Sequence, residues 1–466
     1  MALQPADRVK FYLVLVIAIL LVPITLGGSR TIFNDGDVSW HIATGEWILS
    51  HGTIPKTDPF SFSWADRPWV PIEWGAEVPL AAAYRMAGYS GISALATAAL
   101  VALNAIVFTN ALRSVRPLPS LGVVLAMDAI LIPSLLARPH LFAWALLAFW
   151  TVLMIRARER DRAPPLAAAL LMVVWANMHG SFVMGLVVAA AFGLEAIWQP
   201  DGRARAFRQW GLFGLLLAIA VLVNANGIEG VLHPLRIANL SMLPFIDEWK
   251  PSSPQRTPFF FVLLLAVAAL IVWKRPKMHP VRWMLLAFLL ALAFLQTRHQ
   301  AVLAIVSAVL LPAAFATVPR ETEMTRPVWL AASGCALVLI AIRLAWPITP
   351  DEVESNPWKL IASVPGELRS QPVLNGYVMG GPLLLSGIKP YVDGRGDMYG
   401  DELVIGYKKI TDGDAAMLDQ VVDKWGIRWA ILPHRYKKLV ALLEHDHDWK
   451  KIREDRTGIV FVRVSA

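Results

Sequence analysis

The sequence predicts a polytopic α-helical membrane protein that carries a small α/β domain in its C-terminal part. Of its 466 residues, 56% are hydrophobic and 17% are charged, whereas soluble domains carry about 25% charged residues. The apolar residues cluster in blocks of roughly 17–21, long enough for a helix to cross about 30 Å of hydrocarbon. From about residue 350 onward the composition becomes that of an ordinary soluble domain. We therefore divide the chain into a transmembrane part, 1–346, and a C-terminal domain, 347–466.

The net charge of +8 does not point to a nucleic-acid partner. The basic residues fall in short loops between apolar blocks rather than on one continuous face, so membrane topology explains them better. The single cysteine, Cys335, lies within an apolar block and cannot form an internal disulfide. Cysteine usage therefore says nothing about the redox compartment.

We count about eleven predicted spans, each judged by the length of its apolar run. They lie near residues 11–28, 91–112, 119–136, 141–156, 165–178, 182–198, 210–225, 258–273, 283–297, 301–317 and 328–346. The first is interpreted as a retained span, because its apolar run is long and no A-x-A cleavage site follows it. The short segments 165–178 and 182–198 fit two spans better than a re-entrant pair.

Lysine and arginine in the short loops set the predicted orientation. One set of loops holds about 17 positive charges and the opposite set about five, which places the first set and the N-terminus in the cytoplasm. The C-terminal domain is then outside, in the periplasm of a bacterium. Three longer regions fall on the same outer side: residues 29–89, 226–257 and 347–466.

The first outer loop, 29–89, predicts two helices lying along the membrane interface. Residues 38–49 have helical periodicity with apolar side chains on two opposite sides, which is typical of a wedge between lipid and protein. A second helix is predicted from about Ile72, with Glu73 and Glu77 on one face and Pro79 as a kink or a new start.

Two carboxylates, Asp35 and Asp37, directly follow the first span. Carboxylates this close to the bilayer are costly unless they face water, a metal or a partner. Such a group can deprotonate an acceptor hydroxyl or hold a divalent cation against a lipid phosphate. The alternative is that one aspartate caps the following helix and the other is solvated.

The string DGDVSWHIATGEWILSHGTIPKTDPFSF, followed by PWVPIEWGAE, resembles the opening of GT-C glycosyltransferases. That superfamily includes protein O-mannosyltransferases, aminoarabinose transferases of lipid A and oligosaccharyltransferases. The resemblance implies an inverting transfer of a sugar from a polyprenyl-phosphate donor. It also implies that an aspartate of the first loop is the catalytic base and that Glu73 lies nearby. Members of the superfamily differ in whether the base is the first or the second of the pair; we favour Asp35, with Asp37 as a helper or metal ligand. Some relatives use a divalent cation such as Mg²⁺ or Mn²⁺, so Asp35 and Asp37 are candidate metal ligands here.

Arg138 and Arg298 are among the few cations on the predicted outer side, against the positive-inside bias. A bidentate grip on the donor phosphate would explain both, and the alternatives are lipid headgroup binding or an ion pair with the acidic residues. Histidines in the same set of turns, predicted as further phosphate-binding groups or as structural hydrogen-bonding groups, are His140, His179 and His299.

The C-terminal domain is predicted to alternate strands at 372–375, 389–395, 428–433 and 459–464 with helices at 401–424 and 434–445. Within the string VDGRGDMYGDE, the residues Asp393, Arg395 and Asp397 are expected either to cap the membrane site and select the acceptor or to form a turn network. Asp247, Glu248 and Trp249 are interpreted as structural or solvated rather than as acceptor contacts.

The sequence therefore predicts a glycosyltransferase of the inner membrane that acts on a lipid-linked donor and a glycan, lipid or protein acceptor. Two other classes stay open. A polysaccharide polymerase or O-antigen ligase shares the number of spans but usually carries its large outer loop late in the chain. A transporter or scaffold would place charged groups near mid-membrane, whereas here they gather at one rim.

Overall fold

The computed structural model describes residues 14–198, 201–316, 334, 337–338, 340–341 and 343–464. Cys335 and most of the predicted span 328–346 lie outside these residues. The described chain is mostly helical, with one small sheet near its C-terminal end. This arrangement confirms the predicted order of a helical part followed by an α/β part.

The helical part begins with α1 (Val14–Gly27), which contains a π-helical turn at Ile17–Leu21, and continues through eleven further α-helices. They are α2 (Asp37–His51), α3 (Trp74–Leu112), α4 (Pro117–Leu131), α5 (His140–Glu159), α6 (Ala169–Met178), α7 (Phe182–Trp198), α8 (Arg203–Ala220), α9 (Ile228–Ile237), α10 (Pro258–Lys274), α11 (Pro280–Leu295) and α12 (His299–Phe315).

Three helices in the described part of the chain are long and apolar enough to cross a membrane: Trp74–Leu112, Pro117–Ser134 and His140–Glu159. Six further apolar helices have 10–17 residues, including α7, α11 and α12. At about 1.5 Å of rise per residue, a helix in that range is shorter than the hydrocarbon core. The predicted number of about eleven spans is therefore supported by length for three helices only.

The two ends of the bundle differ in charge and in what covers them. At one end, Arg158 and Arg282 both pair with the buried Glu195, with Nε to carboxylate distances of 3.5 and 2.7 Å. The other end carries the loop from 52 to 73, the segment 226–257 and the C-terminal domain, which contact one another. The three regions predicted to share one side of the membrane therefore lie together.

Helix α2 is more deeply enclosed than a helix wedged between lipid and protein. Val38, Trp40 and Ile42 are all buried, although Trp40 lies on the side opposite the other two. One side packs on the first half of α3 and the other on a helix of the C-terminal domain. The two apolar sides predicted from the sequence therefore both face protein, because the C-terminal domain takes the place expected for lipid.

Helix α3 combines the predicted second interfacial helix with the following span. Glu73 precedes its first residue, and Pro79 lies inside it without breaking it. The break instead occurs at Ala87 and Gly88, where Gly88 has a φ of +57°. Pro79 therefore does not begin a new helix. Its ring fixes φ near a helical value, and its missing N–H removes one backbone hydrogen bond.

The C-terminal domain contains a four-stranded sheet in the order β1, β2, β4, β3. Its strands are β1 (Val373–Asn375), β2 (Trp429–Leu432), β3 (Trp449–Asp455) and β4 (Gly458–Arg463), with β1 parallel to β2 and the other pairs antiparallel. The helices are α13 (Trp358–Ala362), α14 (Gly366–Arg369), α15 (Gly380–Leu385), α16 (Gly396–Thr411), α17 (Ala415–Trp425) and α18 (Lys437–His445).

The prediction for this domain differs from the structure in three places. The helix predicted at 401–424 is two helices, α16 and α17, because the chain turns between them at Gly413, which has a φ of +96°. Residues 389–395 form a loop with one bridge, Val373 to Pro390, rather than a strand. Strand β3 was not predicted, since its sequence WKKIRED is mostly charged. It lies at the edge of the sheet and pairs only with β4, so its charged side chains face solvent.

Glycines form the seam between the C-terminal domain and α2. A Cβ at Gly36 would overlap the carbonyl oxygen of Val378, and a Cβ at Gly381 would overlap the carbonyl oxygen of Gly36. The backbones of α2 and α15 can therefore approach closely only without side chains at these positions. This seam holds the C-terminal domain directly over Asp35 and Asp37.

Candidate active site at the rim of the helix bundle

Five charged side chains, which we name the rim cluster, meet where the bundle contacts the C-terminal domain: Asp35, Asp37, Arg138, Glu248 and Arg298. Arg138 is central. Its Nη1 lies 3.1 Å from Oδ2 of Asp35 and its Nη2 lies 3.1 Å from Oδ2 of Asp37. Its Nη1 is also 3.7 Å from Oε2 of Glu248. The structure therefore brings together the aspartate pair and both predicted arginines.

The short connection between α1 and α2 positions the two aspartates differently. Asp35 precedes α2, and its Oδ1 accepts the backbone N–H of Asp37 at 3.0 Å. Asp35 thus uses one oxygen for the backbone and the other for Arg138. Asp37 occupies the first turn of α2, where the helix dipole favours a negative charge. Its Oδ1 lies against Gly394 and is not held by an ion pair in the described chain.

Burial and the neighbouring Asp35 carboxylate raise the pKa of Asp37 to about 7, although Arg138 opposes the shift. A carboxyl group with a pKa near neutrality is suited to proton transfer. Burial also raises the pKa of Glu248, but the charges of Arg138 and Arg298 outweigh it and hold that pKa below its ordinary value. The rim cluster therefore contains one carboxyl poised to titrate and another kept ionised.

Arg298 lies in the turn between α11 and α12, beside the segment 226–257. Its Nη1 is 3.7 Å from Oε1 of Glu248, its guanidinium stacks on Trp249 at 4.3 Å, and its backbone N–H donates to the carbonyl of Glu248 at 3.1 Å. Glu248 and Trp249 were interpreted from the sequence as structural or solvated residues. The structure places both at the site, and their position in an outer segment rich in aromatic and acidic residues was the available signal.

Glu73 lies next to the rim cluster and contacts two histidines. Its Oε1 is 3.3 Å from Nε2 of His179, and its Oε2 is 3.7 Å from Nε2 of His41. Burial raises the pKa of Glu73 to about 7. His41, which the sequence reasoning missed although it lies in the quoted motif, is fully buried and shares a 3.0 Å hydrogen bond with Oε1 of Glu77.

The two other predicted histidines, His140 and His299, make no ion pair in the described chain. His140 hydrogen-bonds the carbonyl oxygen of Ser134 at 2.9 Å, and its ring centroid lies 6.5 Å from that of His179. His299 begins α12 immediately after Arg298. None of the three histidines lies on the wall of the cavity described below. Their assignment as phosphate-binding groups stays a prediction.

The predicted acceptor-side residues separate into two groups. Asp393 and Arg395 belong to what we name the buried cluster, with Asp58 and Tyr399, and their side chains are at most 1% exposed. Arg395 lies 2.6 Å from Asp393 and 2.7 Å from Asp58, and Tyr399 donates to Asp393 at 3.0 Å. Asp397 lies on the same cavity wall as Arg395 but is partly exposed, and it pairs with His233 at 2.8 Å.

A cavity of about 960 Å³ extends from the rim cluster into the C-terminal domain. Its inner wall carries all five residues of the rim cluster together with Glu73 and Asp397. Its wall then continues over the segment 237–249 to α16 and the start of α18. The acidic and basic groups of the site therefore open into one space large enough for a substrate.

The donor set does not fit a divalent cation as it stands. The group between Asp35 and Asp37 is the guanidinium of Arg138, at 3.1 Å from each. In the described residues, no three His, Cys, Asp or Glu side chains are grouped so that they could hold a metal ion. Mg²⁺ and Ca²⁺ ordinarily need more oxygen ligands than this pair supplies. The cation that the sequence left open stays a prediction.

No family model matches the chain, and no curated protein matches it. Solved structures of similar shape include archaeal oligosaccharyltransferase AglB from Archaeoglobus fulgidus in complex with an inhibitory peptide and a dolichol-phosphate. That structure has a TM-score of 0.56 at 11% identity, covering 93% of this chain and 70% of the other. The apo form of the Archaeoglobus fulgidus oligosaccharyltransferase has a TM-score of 0.52 at 11% identity, covering 91% and 68%. The chain therefore shares the fold of these two structures.

Proposed function

We propose that the protein is an inverting glycosyltransferase that moves a sugar from a polyprenyl-phosphate donor to an acceptor at the outer face of a bacterial inner membrane. The single observation that carries the proposal is the convergence of Asp35 and Asp37 with Arg138 and Arg298 at the inner end of one cavity. A base and phosphate-binding cations are the two requirements of this reaction. The oligosaccharyltransferase fold supports it.

Asp37 is the better candidate for the base, in place of the Asp35 favoured by the resemblance. Both oxygens of Asp35 are engaged, whereas Oδ1 of Asp37 is outside the ion pair with Arg138. The pKa of Asp37, raised to about 7, gives its carboxylate more basicity than an ordinary aspartate has. In this assignment Asp35 orients Asp37 through the backbone and shares Arg138 with it.

The reaction then proceeds by one displacement. Oδ1 of Asp37 takes the proton of the acceptor hydroxyl, and at the same time the hydroxyl oxygen attacks the anomeric carbon of the donor sugar. The bond between that carbon and the phosphate oxygen breaks, and its electron pair leaves with the polyprenyl phosphate. The configuration at the anomeric carbon is inverted.

The leaving phosphate needs cations to stabilise its developing charge. Arg298 is the main candidate, since its side chain is 31% exposed and its ion pair with Glu248 is long at 3.7 Å. Its stacking on Trp249 fixes the plane of the guanidinium without using its N–H donors. Arg138 is held by two carboxylates at 3.1 Å and supplies a second positive charge.

The test is a transfer assay with the purified full chain in lipid nanodiscs, using a panel of polyprenyl-phosphate sugars and cell-envelope acceptors. Asp37→Asn should lower transfer by roughly 10²- to 10⁴-fold, because the amide removes the base but keeps the shape. Asp161→Asn is the matched control, since Asp161 is 80% exposed and pairs with Arg158 at the other end of the bundle.

Asp35→Asn separates the two assignments of the base. If Asp37 is the base, Asp35→Asn should retain more activity than Asp37→Asn. Equal thermal melting of the three variants would show that the loss is chemical. Full activity in Asp37→Asn, or sugar transfer with retention of configuration, would contradict the mechanism.

A further inference from the structure

The cavity has a second end that the transfer reaction does not use. Beyond the rim cluster its wall passes Phe245 and Ile246 and ends at four basic residues of the C-terminal domain. We name this set the basic mouth: Lys408, Arg435, Lys437 and Lys438. The basic mouth, with Asp412 beside it on the wall, carries more cations than carboxylates, whereas the rim cluster carries more carboxylates than cations.

The charges of the basic mouth are only partly neutralised by the protein. Lys408 pairs with Asp412, and Nε of Arg435 lies 3.3 Å from Oε2 of Glu354. Lys437 and Lys438 are exposed and make no ion pair with another residue of the described chain. At least two positive charges are therefore available to a ligand in the cavity.

The backbone adds to this positive potential. Lys437 and Lys438 are in the first turn of α18. That turn contains no acidic residue, and the helix has no side-chain cap at its start. The helix dipole places partial positive charge at this end, so the two lysines are in an unfavourable position until an anion arrives. The helix terminus strengthens the charge of the basic mouth and would not by itself define a site.

Aromatic rings accompany the cations. Tyr407 and Tyr436, whose ring centroids are 6.3 Å apart in an edge-to-face arrangement, both lie on the wall beside Lys408 and Arg435. Tyr407 is buried and its hydroxyl already bonds the backbone of Asn375 and Tyr377. The half-buried Tyr436 offers an apolar ring together with a hydroxyl, a combination suited to the mixed apolar and polar faces of a sugar. The basic mouth is therefore suited to a glycan with acidic groups better than to a simple inorganic anion.

The position of the basic mouth indicates which of the two substrates it binds. The donor reaches the rim cluster from the lipid, whereas every residue of the basic mouth belongs to the C-terminal domain. Building on the proposed function, we propose that the acceptor is an acidic glycan whose carboxylate or phosphate groups bind the basic mouth while one of its hydroxyls reaches Asp37. Charge complementarity of this kind selects the substrate and speeds its capture.

The experiment measures binding of three oligosaccharides to the full chain in nanodiscs by calorimetry. The probes are a glucuronate-containing oligosaccharide, its carboxyl-reduced neutral counterpart, and a phosphorylated oligosaccharide. We expect an acidic probe to bind more tightly than the neutral one and to weaken with added salt. Preference between the carboxylate and phosphate probes identifies the anion.

The variant Lys437→Ala/Lys438→Ala should weaken binding of the acidic probe roughly tenfold and leave binding of the neutral probe unchanged. Its matched control is Lys409→Ala/Lys450→Ala, which removes the same charge from exposed residues of the same domain that do not line the cavity. Equal binding of acidic and neutral probes by the wild type, or equal losses in the two double variants, would overturn the proposal.

Binding by Asp37→Asn separates this proposal from the proposed function. That variant should bind the acidic probe as the wild type does while losing transfer. Selective binding in a wild-type protein that transfers no sugar would refute the proposed function and support the basic mouth. Sugar transfer without any preference for acidic probes would support the function and refute the acidic acceptor.

Discussion

The rim cluster and the buried cluster are built from the same residue types and serve different ends. In the buried cluster Arg395, Asp58 and Asp393 are at most 1% exposed, and the guanidinium pairs with both carboxylates at 2.6–2.7 Å. In the rim cluster Arg138, Asp35 and Asp37 are 19–20% exposed, with closest ion-pair distances of 3.1 Å. The buried cluster is shielded from solvent, although Arg395 borders the cavity, and the rim cluster is partly exposed within it.

This difference teaches how the two sets can be distinguished without knowledge of the reaction. A buried ion pair whose hydrogen bonds are satisfied fixes a structure, because removing one partner leaves an uncompensated charge. A partly open set with carboxylates in excess can exchange partners and protons with a ligand. The buried cluster ties the first outer loop to the C-terminal domain, and the rim cluster is left for chemistry.

Among the variants that test this difference between the two clusters, Arg395→Met should have the largest effect. Methionine keeps much of the length but leaves Asp58 and Asp393 charged and buried, which should lower the free energy of unfolding by about 3–5 kcal/mol. Denaturant unfolding followed by tryptophan fluorescence measures it. Arg463→Met is the control, since its pair with Asp423 is exposed and worth about 0–1 kcal/mol. Equal losses in the two variants would contradict a structural role specific to the buried cluster.

Arg298→Gln should have the opposite profile. We expect kcat/KM for the lipid donor to fall roughly 10- to 100-fold, because a charge-assisted phosphate contact is worth about 1.5–3 kcal/mol. Stability should change little, as the ion pair of Arg298 with Glu248 is long and partly exposed. Arg256→Gln, which removes an arginine from outside the cavity wall, provides the comparison. A destabilised Arg298→Gln with normal kinetics would place Arg298 among the structural residues.

Gly381→Ala tests whether the two clusters depend on one docking position. A methyl group there would overlap the carbonyl oxygen of Gly36, so α15 and α2 must separate, at about 1–3 kcal/mol. Because the same seam holds the domain over Asp37, transfer should fall as well. Gly406→Ala adds a methyl into open space in α16 and should be neutral. Undiminished stability and activity in Gly381→Ala would mean that α15 and α2 can separate without loss, and would contradict the dependence of the two clusters on this seam.

The smallest effect is the pH dependence of transfer. The base must be ionised, and the pKa of Asp37 is raised to about 7, so activity should fall about tenfold for each pH unit below that value. The pKa of Glu73 is also raised to about 7. The same measurement on Glu73→Gln therefore assigns the titrating group. A rate that is constant below neutrality in the wild type would exclude both groups as the base.

The sequence was sufficient to predict a mostly helical chain followed by a small α/β domain. Hydrophobic periodicity predicted α2 within two residues at each end, because its apolar side chains recur at helical spacing on both sides. The prediction that lipid covers one side of α2 was wrong, since the C-terminal domain covers it. Periodicity reports that a face is buried and not whether lipid or protein covers it. The edge strand β3 was missed because exposed charges conceal a strand.

The candidate site was predictable as a set of parts and not as an arrangement. The positive-inside bias singled out Arg138 and Arg298, and both lie in the rim cluster. Glu248 was undervalued because nothing local distinguishes it from a solvated acid. Asp393 and Arg395 were expected either at the acceptor side or in a turn network, while their partner Asp58 lies 337 residues away from Arg395 and could not be inferred from spacing.

That separation has a consequence for the birth of the protein. At about 5–20 residues per second, translation reaches Arg395 on the order of half a minute after Asp58 has emerged. Until then, Asp58 in the first loop has no Arg395 to pair with, and the cavity lacks the wall that the C-terminal domain supplies. The cavity is thus completed only after the helices of the bundle have been made.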